Sequence, residues 1–203
     1  MKKKFLVLSD FIEKGIERIY TAQEVGQETP ILLNKTTSLK ILGIGNSWLV
    51  KGDNLKRLEE MLIRNYLVMI LIPDPLASEI QERYTHDEPP TFELGLEGLA
   101  RRILDWYDLF KKHPNLSVKA YTRYPVVNLS IYDNYVYASP VLFKRRAKDS
   151  FTAVFRRPSS GAQIYEEHFD KIYHDGSSID ITDPSYIRKL CNKFKLQEKQ
   201  NVR

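Results

Sequence analysis

Cysteine is nearly missing from this chain. Cys191 is the only one in 203 residues, which excludes an internal disulfide and fits a reducing compartment. Long apolar runs are missing as well. The longest, Leu67 to Pro73, falls far short of the ~20 residues that cross a bilayer, so no membrane insertion is expected. Met1 and three lysines precede Phe5–Leu8, the outline of a signal peptide, but the apolar run ends at Ser9-Asp10, too soon for a secretory core. A soluble, cytoplasmic protein is the expectation. Glycine (9) and proline (10) are unremarkable in number and no repeat is visible, which excludes collagen-like and low-complexity classes. Histidine is scarce: His86, His113, His168 and His174 stand at no metal-ligand spacing, and no metal is expected. Gly43-x-Gly45 lacks the third glycine of a dinucleotide fingerprint, and no cofactor is expected.

The composition that remains is that of one globular domain: 42% hydrophobic and 28% charged. The net charge of +5 is uneven. Residues 188–203 carry Arg188, Lys189, Lys193, Lys195, Lys199 and Arg203 against Glu198 alone, so this stretch holds the whole excess and the body before it is balanced. Nucleic acid or an acidic partner is one reading of that stretch, and a solvated basic extension is the other.

Periodicity outlines the elements. Phe11, Ile12, Ile16 and Ile19 suggest a short helix over 11–20. Residues 39–45 read as a buried strand, followed by a helix capped by Asp53 or Asn54 with Leu55, Leu58, Met61, Leu62 and Tyr66 on one face. Residues 66–72 form a second buried strand stopped by Pro73-Asp74-Pro75, so the unit implies a parallel pair. Residues 87–90 read as a loop and 92–112 as a long amphipathic helix ended by His113-Pro114. Short strands follow at 116–123, 127–132, 135–142 and 151–155, with Asp133-Asn134 as a hairpin turn. Ser159-Ser160-Gly161 opens a helix closed near Asp175-Gly176, and Ile187, Leu190, Cys191 and Phe194 outline a last amphipathic helix. The order implies an α/β fold with three layers, a mixed β-sheet flanked by helices. Ligands of such sheets sit at the carboxyl ends of the parallel strands, an edge that here includes Asn46, Ser47, Asp74 and Arg123.

The segments GIERIY (15–20), ILGIGNSWL (41–49), VMILIPDP (68–75), SVKAYTRYPVVNLSIYDNYVYASP (117–140) and YEEHFDKIY (165–173) occur in this order. Together they resemble a bacterial phospholipase D-like family of unknown function whose members are often joined to helix-turn-helix domains. The resemblance covers roughly residues 11–176, taken as one domain, with 177–203 as a basic C-terminal extension. It implies a phospholipase D-like fold and a motif His-x-Lys-x4-Asp, in which histidine attacks phosphorus and lysine holds phosphate oxygens. Aligned on the turn, Asp133 takes the Asp position, but Val126 stands at the histidine and Asn128 at the lysine. The Gly-Ser that often follows becomes Ser139-Pro140. The implied protein is a catalytically degenerate domain, a pseudoenzyme, that binds a phosphate-bearing ligand such as a nucleotide or nucleic acid in a regulatory or sensing role. A homodimer is implied as well, because one-motif relatives pair their half-sites.

Candidate phosphate ligands are Asn46, Arg123, Asn128, Ser130, Asp133, Arg156 and Arg157. Arg123 ends a strand near the degenerate motif, and Arg156-Arg157 precede a helix N-terminus, where phosphate is favoured. Each has a plainer reading: Asp133 as a turn residue, Asn128 and Ser130 as a strand's solvent face, and the arginines, with Lys144-Arg145-Arg146, as solvated ends. A rival expectation is an active nuclease or phosphodiesterase using His86 with Asp74 and Arg83, or His168, as a substitute acid/base set. A third is a protein-interaction module of a toxin–antitoxin or defence system.

Overall fold

A computed structural model describes residues 13–44, 46, 48–86, 95–123, 126–142 and 150–196. The chain enters the sheet through Gly15 (φ +79°) into β1 (Ile16–Thr21) and turns at once into α1 (Ala22–Lys35). Thr21 and Glu24 make a reciprocal capping box there. The helix expected over 11–20 is therefore corrected. Residues 16–21 are an edge strand antiparallel to the strand Phe151–Arg156, and Phe11 and Ile12 lie outside the described residues. The isoleucine spacing suited either period, and the capping box at Thr21 decides where the helix starts.

The next unit is β2 (Ser38–Leu42), α2 (Gly52–Ile63) and β3 (Leu67–Pro73), with β2 and β3 parallel as the pattern implies. Helix α2 begins one residue before the expected cap. Asp53 pairs with Lys56 and Asn54 donates to the Trp48 carbonyl, so neither side chain caps. Then come α3 (Ser78–His86), α4 (Leu96–Lys112), β4 (Ser117–Tyr121), β5 (Val127–Ile131), β6 (Tyr135–Pro140) and β7 (Phe151–Arg156). Last are α5 (Ser160–Tyr173, capped by Ser159), β8 (Ile179–Asp180) and α6 (Pro184–Phe194, capped by Asp183). The loop expected at 87–90 and the basic triplet 144–146 lie outside the described residues.

The eight strands form one sheet in the order β1-β7-β6-β5-β2-β3-β4-β8. β2, β3 and β4 are parallel, and every other pairing is antiparallel. Alternation divides the apolar residues between two cores. Leu39, Ile41, Val68, Ile70, Ile72 and Val118 face the layer containing α2, α4 and α6, where Trp106 and Leu190 are fully enclosed. Leu42, Leu71, Leu129, Ile131 and Phe155 face α5, through Ala162, Phe169 and Tyr173. This is the three-layer mixed α/β fold. On the sequence reading, residues 177–203 are set apart as a basic extension. Within the described part, β8 pairs with β4, and Tyr186, Ile187 and Leu190 of α6 enter the first core.

Candidate functional site

The carboxyl end of β2 runs out at Gly43, whose amide still bonds the Leu71 carbonyl at 3.3 Å. The chain then turns back through Asn46, which has a left-handed φ of +42° and is buried. Its Nδ2 donates to the Gly43 carbonyl at 3.3 Å. Antiparallel pairing of Leu42 with Leu129 places Asn128 beside the same turn, and Asn128 Oδ1 accepts the Ile44 amide at 3.2 Å. A Cβ on Gly43 would lie 2.8 Å from Asn46 Oδ1 and 3.1 Å from Asn128 Oδ1. Glycine at 43 is thus what allows the two amides to converge. With Oδ1 engaged, Asn128 has its NH2 left to donate, and among the described residues nothing accepts from it. Val126, at the motif's first position, is 66% exposed.

Asp74 ends β3, with its amide on the Tyr121 carbonyl at 2.8 Å. It is buried, and Oδ1 accepts from the Leu76 amide at 2.9 Å and the Tyr186 hydroxyl at 2.8 Å. Burial pushes its carboxyl above the usual range, against the opposing pull of those two hydrogen bonds. Arg123, just past β4, is exposed. It adds a small electrostatic contribution to holding down Asp175, whose main support is Ser177. The strand-end edge therefore carries Asn46, Asn128, Asp74 and Arg123; Ser47 lies outside the described residues.

The remaining candidates lie elsewhere. Asp133 sits at the opposite end of β5. Its Oδ2 accepts the Thr37 amide at 2.7 Å and the Thr37 hydroxyl at 3.0 Å, and Oδ1 accepts the Ser38 amide at 2.9 Å. Burial alone would raise this carboxyl, but the hydrogen bonds from Thr37, Thr36 and Ser38 outweigh it and hold it below the usual range. Arg157 is a two-pronged partner of Glu166 (2.7 and 2.8 Å) and donates to the Tyr132 and Asp133 carbonyls. These residues line an open cleft of about 540 Å³ in front of the α5 N-terminus, but their charges are already matched. Arg156 is exposed at the end of β7, where its amide holds the Gly15 carbonyl. Ser130 is half-buried within β5. The two alternative histidines for substitute acid/base chemistry stand on different helices. His86 ends α3, whose Ile80 and Tyr84 join the first core, whereas His168 is on α5 on the other side of the sheet. Burial lowers the His168 pKa, with a smaller contribution from Lys171.

One cluster escaped the sequence reading. Glu28 of α1 accepts from Arg18 at 2.9 Å, Tyr20 at 2.7 Å and Tyr137 at 2.5 Å, beside a cavity of about 230 Å³ under the helix. The signal was the capping box, which fixes the turn of α1 that faces the sheet. Among the described residues no group of three or more His, Cys, Asp and Glu is placed to hold a metal ion. No helix of the described residues is long and apolar enough to cross a membrane.

No family model and no curated protein matches the chain. Among solved structures, phosphatidylserine synthase from Haemophilus influenzae Rd KW20 superposes with a TM-score of 0.51 at 16% identity, over 85% of this chain and 42% of that one. The likeness is one of fold alone: a mixed sheet flanked by helices. TrmBL2, an archaeal chromatin protein described as showing a novel mode of DNA binding, gives a TM-score of 0.46 at 15% identity, over 85% of this chain and 58% of its own. The chain thus spans less than two thirds of either protein.

Proposed function

We propose that this protein is a non-catalytic phospholipase D-like domain that binds a phosphate-bearing ligand, a nucleotide or nucleic acid end, at the Gly43–Asn46–Asn128 turn in a regulatory or sensing role. The observation that carries the reading is the convergence of two amides on Gly43, with the Asn128 NH2 left to donate. In this reading Asn128 orients a phosphate oxygen and Arg123 supplies charge from the end of β4, two strands away from β2. Valine at 126 has no lone pair with which to attack phosphorus, so the ligand is held and not cleaved.

The test is titration of the labelled protein with inorganic phosphate and then a dinucleotide, followed by NMR. The expected result is shifts of the Asn46 and Asn128 amide signals. Asn128→Ala and Arg123→Ala should each weaken binding by about tenfold, roughly the worth of one hydrogen bond to a charged group. Absence of those shifts overturns the site, and hydrolysis of bis(p-nitrophenyl) phosphate overturns the non-catalytic role.

A further inference from the structure

Helix α6 differs from the other surface helices in its charges. On α2, α4 and α5, four cations sit beside carboxylates of their own helix. Lys56 is 3.2 Å from Asp53, Arg101 is 2.7 Å from Glu97, Lys111 is 2.7 Å from Asp108 and Lys171 is 4.0 Å from Glu167. Residues 184–196 contain no carboxylate. With Tyr186, Ile187 and Leu190 buried, the exposed arc consists of Arg188, Lys189, Asn192, Lys193 and Lys195. Among the described residues none of these four cations makes an ion pair. Lys189 and Lys193 stand one turn apart with like charge, an arrangement that disfavours an isolated helix. Lys193 and Lys195 suit the C-terminal end of the helix dipole, but Arg188 and Lys189 lie in its middle. The carboxylate that senses both is Asp183, already engaged with Ser185 at the N-cap.

This ridge is fixed to the body. Ile181 donates to the Val118 carbonyl at 3.3 Å, and Tyr186 donates to Asp74 at 2.8 Å. From Arg188 to Lys193 the cations extend about 7.5 Å along the helix, and Lys195 follows at its left-handed C-cap. No aromatic ring lies on the exposed arc, since Tyr186 is buried and Phe194 half-buried, so no platform for stacking unpaired bases is present. Fixed point charges without stacking groups suit a row of phosphates. We propose that the basic face of α6, formed by Arg188, Lys189, Lys193 and Lys195, binds the phosphate backbone of duplex nucleic acid without reading its sequence. The inference rests on α6 alone and stands apart from the Gly43 site.

The test is fluorescence anisotropy of a labelled mixed-sequence 20-base-pair DNA duplex with the full chain, between about 50 and 200 mM salt. Four engaged cations predict a log–log salt slope of about −3.5 and a dissociation constant on the order of 10 μM. Replacing all four by glutamine should weaken binding at least thirtyfold at low salt and flatten the slope, with each single change removing about one unit. All four side chains are exposed, so unchanged circular dichroism and Tm are expected. Lys56→Gln with Arg101→Gln, which removes two paired charges from other helices, should leave affinity within twofold. The proposal is overturned if the fourfold variant binds like wild type, if the control pair loses as much, or if wild type binds phosphatidylserine vesicles and not the duplex.

Discussion

The Tyr186 hydroxyl donates to the Asp74 carboxylate at 2.8 Å inside the protein, joining α6 to the end of β3 across 112 residues of sequence. The folded-state pKa of Asp74 is raised, chiefly by burial. Its contribution to stability is therefore present below the usual carboxylate pKa and is lost as pH rises through the folded value. Asp74→Asn keeps an acceptor for Leu76 and Tyr186 without a buried charge. Urea unfolding should find its stability relative to wild type increasing from about pH 4 upward. Tyr186→Phe should cost about 1–3 kcal/mol at pH 7 and less at pH 4, since a hydrogen bond to the ionised carboxylate is the stronger one. A wild type that gains on Asp74→Asn as pH rises contradicts this account.

Asp133 has the opposite sign. Hydrogen bonds hold its pKa down in the folded protein, so its contribution is present above the usual carboxylate pKa and lost on acidification. Asp133→Ala removes the acceptor of the Thr37 and Ser38 amides, which ties the β5–β6 turn to the start of β2. It should cost about 2–3 kcal/mol at pH 7, with the two unfolding curves drawing together as pH falls below the usual carboxylate range. Phosphate affinity should not change; a loss of binding in a folded Asp133→Ala protein would place that carboxylate in the site after all.

Gly43→Ala should separate binding from folding. The added carbon meets Asn46 and Asn128 at 2.8 and 3.1 Å, so the amides must move apart. Phosphate affinity should fall at least tenfold, with about 1–2 kcal/mol lost in stability. Gly26→Ala on α1 is the matched control, since a carbon there meets nothing within 4 Å. It should gain roughly 0.5–1 kcal/mol from helix propensity and leave binding alone. Equal affinity in the two variants would remove the Gly43 turn as the site.

Local pattern located β2, β3, the four strands from 117 to 156, and helices α2, α4, α5 and α6, because their apolar residues recur at one clear period. It failed at β1 and α1 and left α3 and β8 unmarked. Four large apolar residues over 11–20 suited helix or strand, and α1 hides behind a polar sequence with Gly26 and an internal Pro30. The buried part of the site was legible only in half. Asn128 followed from the motif spacing and Asn46 from the strand end. The Gly43 contact that joins them did not, because it depends on which strand lies beside β2.

The sequence by itself determined the α/β class, the concentration of positive charge after residue 187, and the valine and asparagine where the resembled motif has histidine and lysine. Tertiary structure alone decided which of the candidate residues meet. Asn128 and Asp133 are five residues apart on an extended strand, a rise of about 16 Å. One therefore lies beside Asn46 at the carboxyl end of β2, and the other beside Thr37 and Ser38 at its start. Tertiary packing likewise turned the described part of the basic stretch, residues 188–196, into a fixed ridge, because Ile187 and Leu190 bury completely against the first core and leave the cations of α6 facing outward.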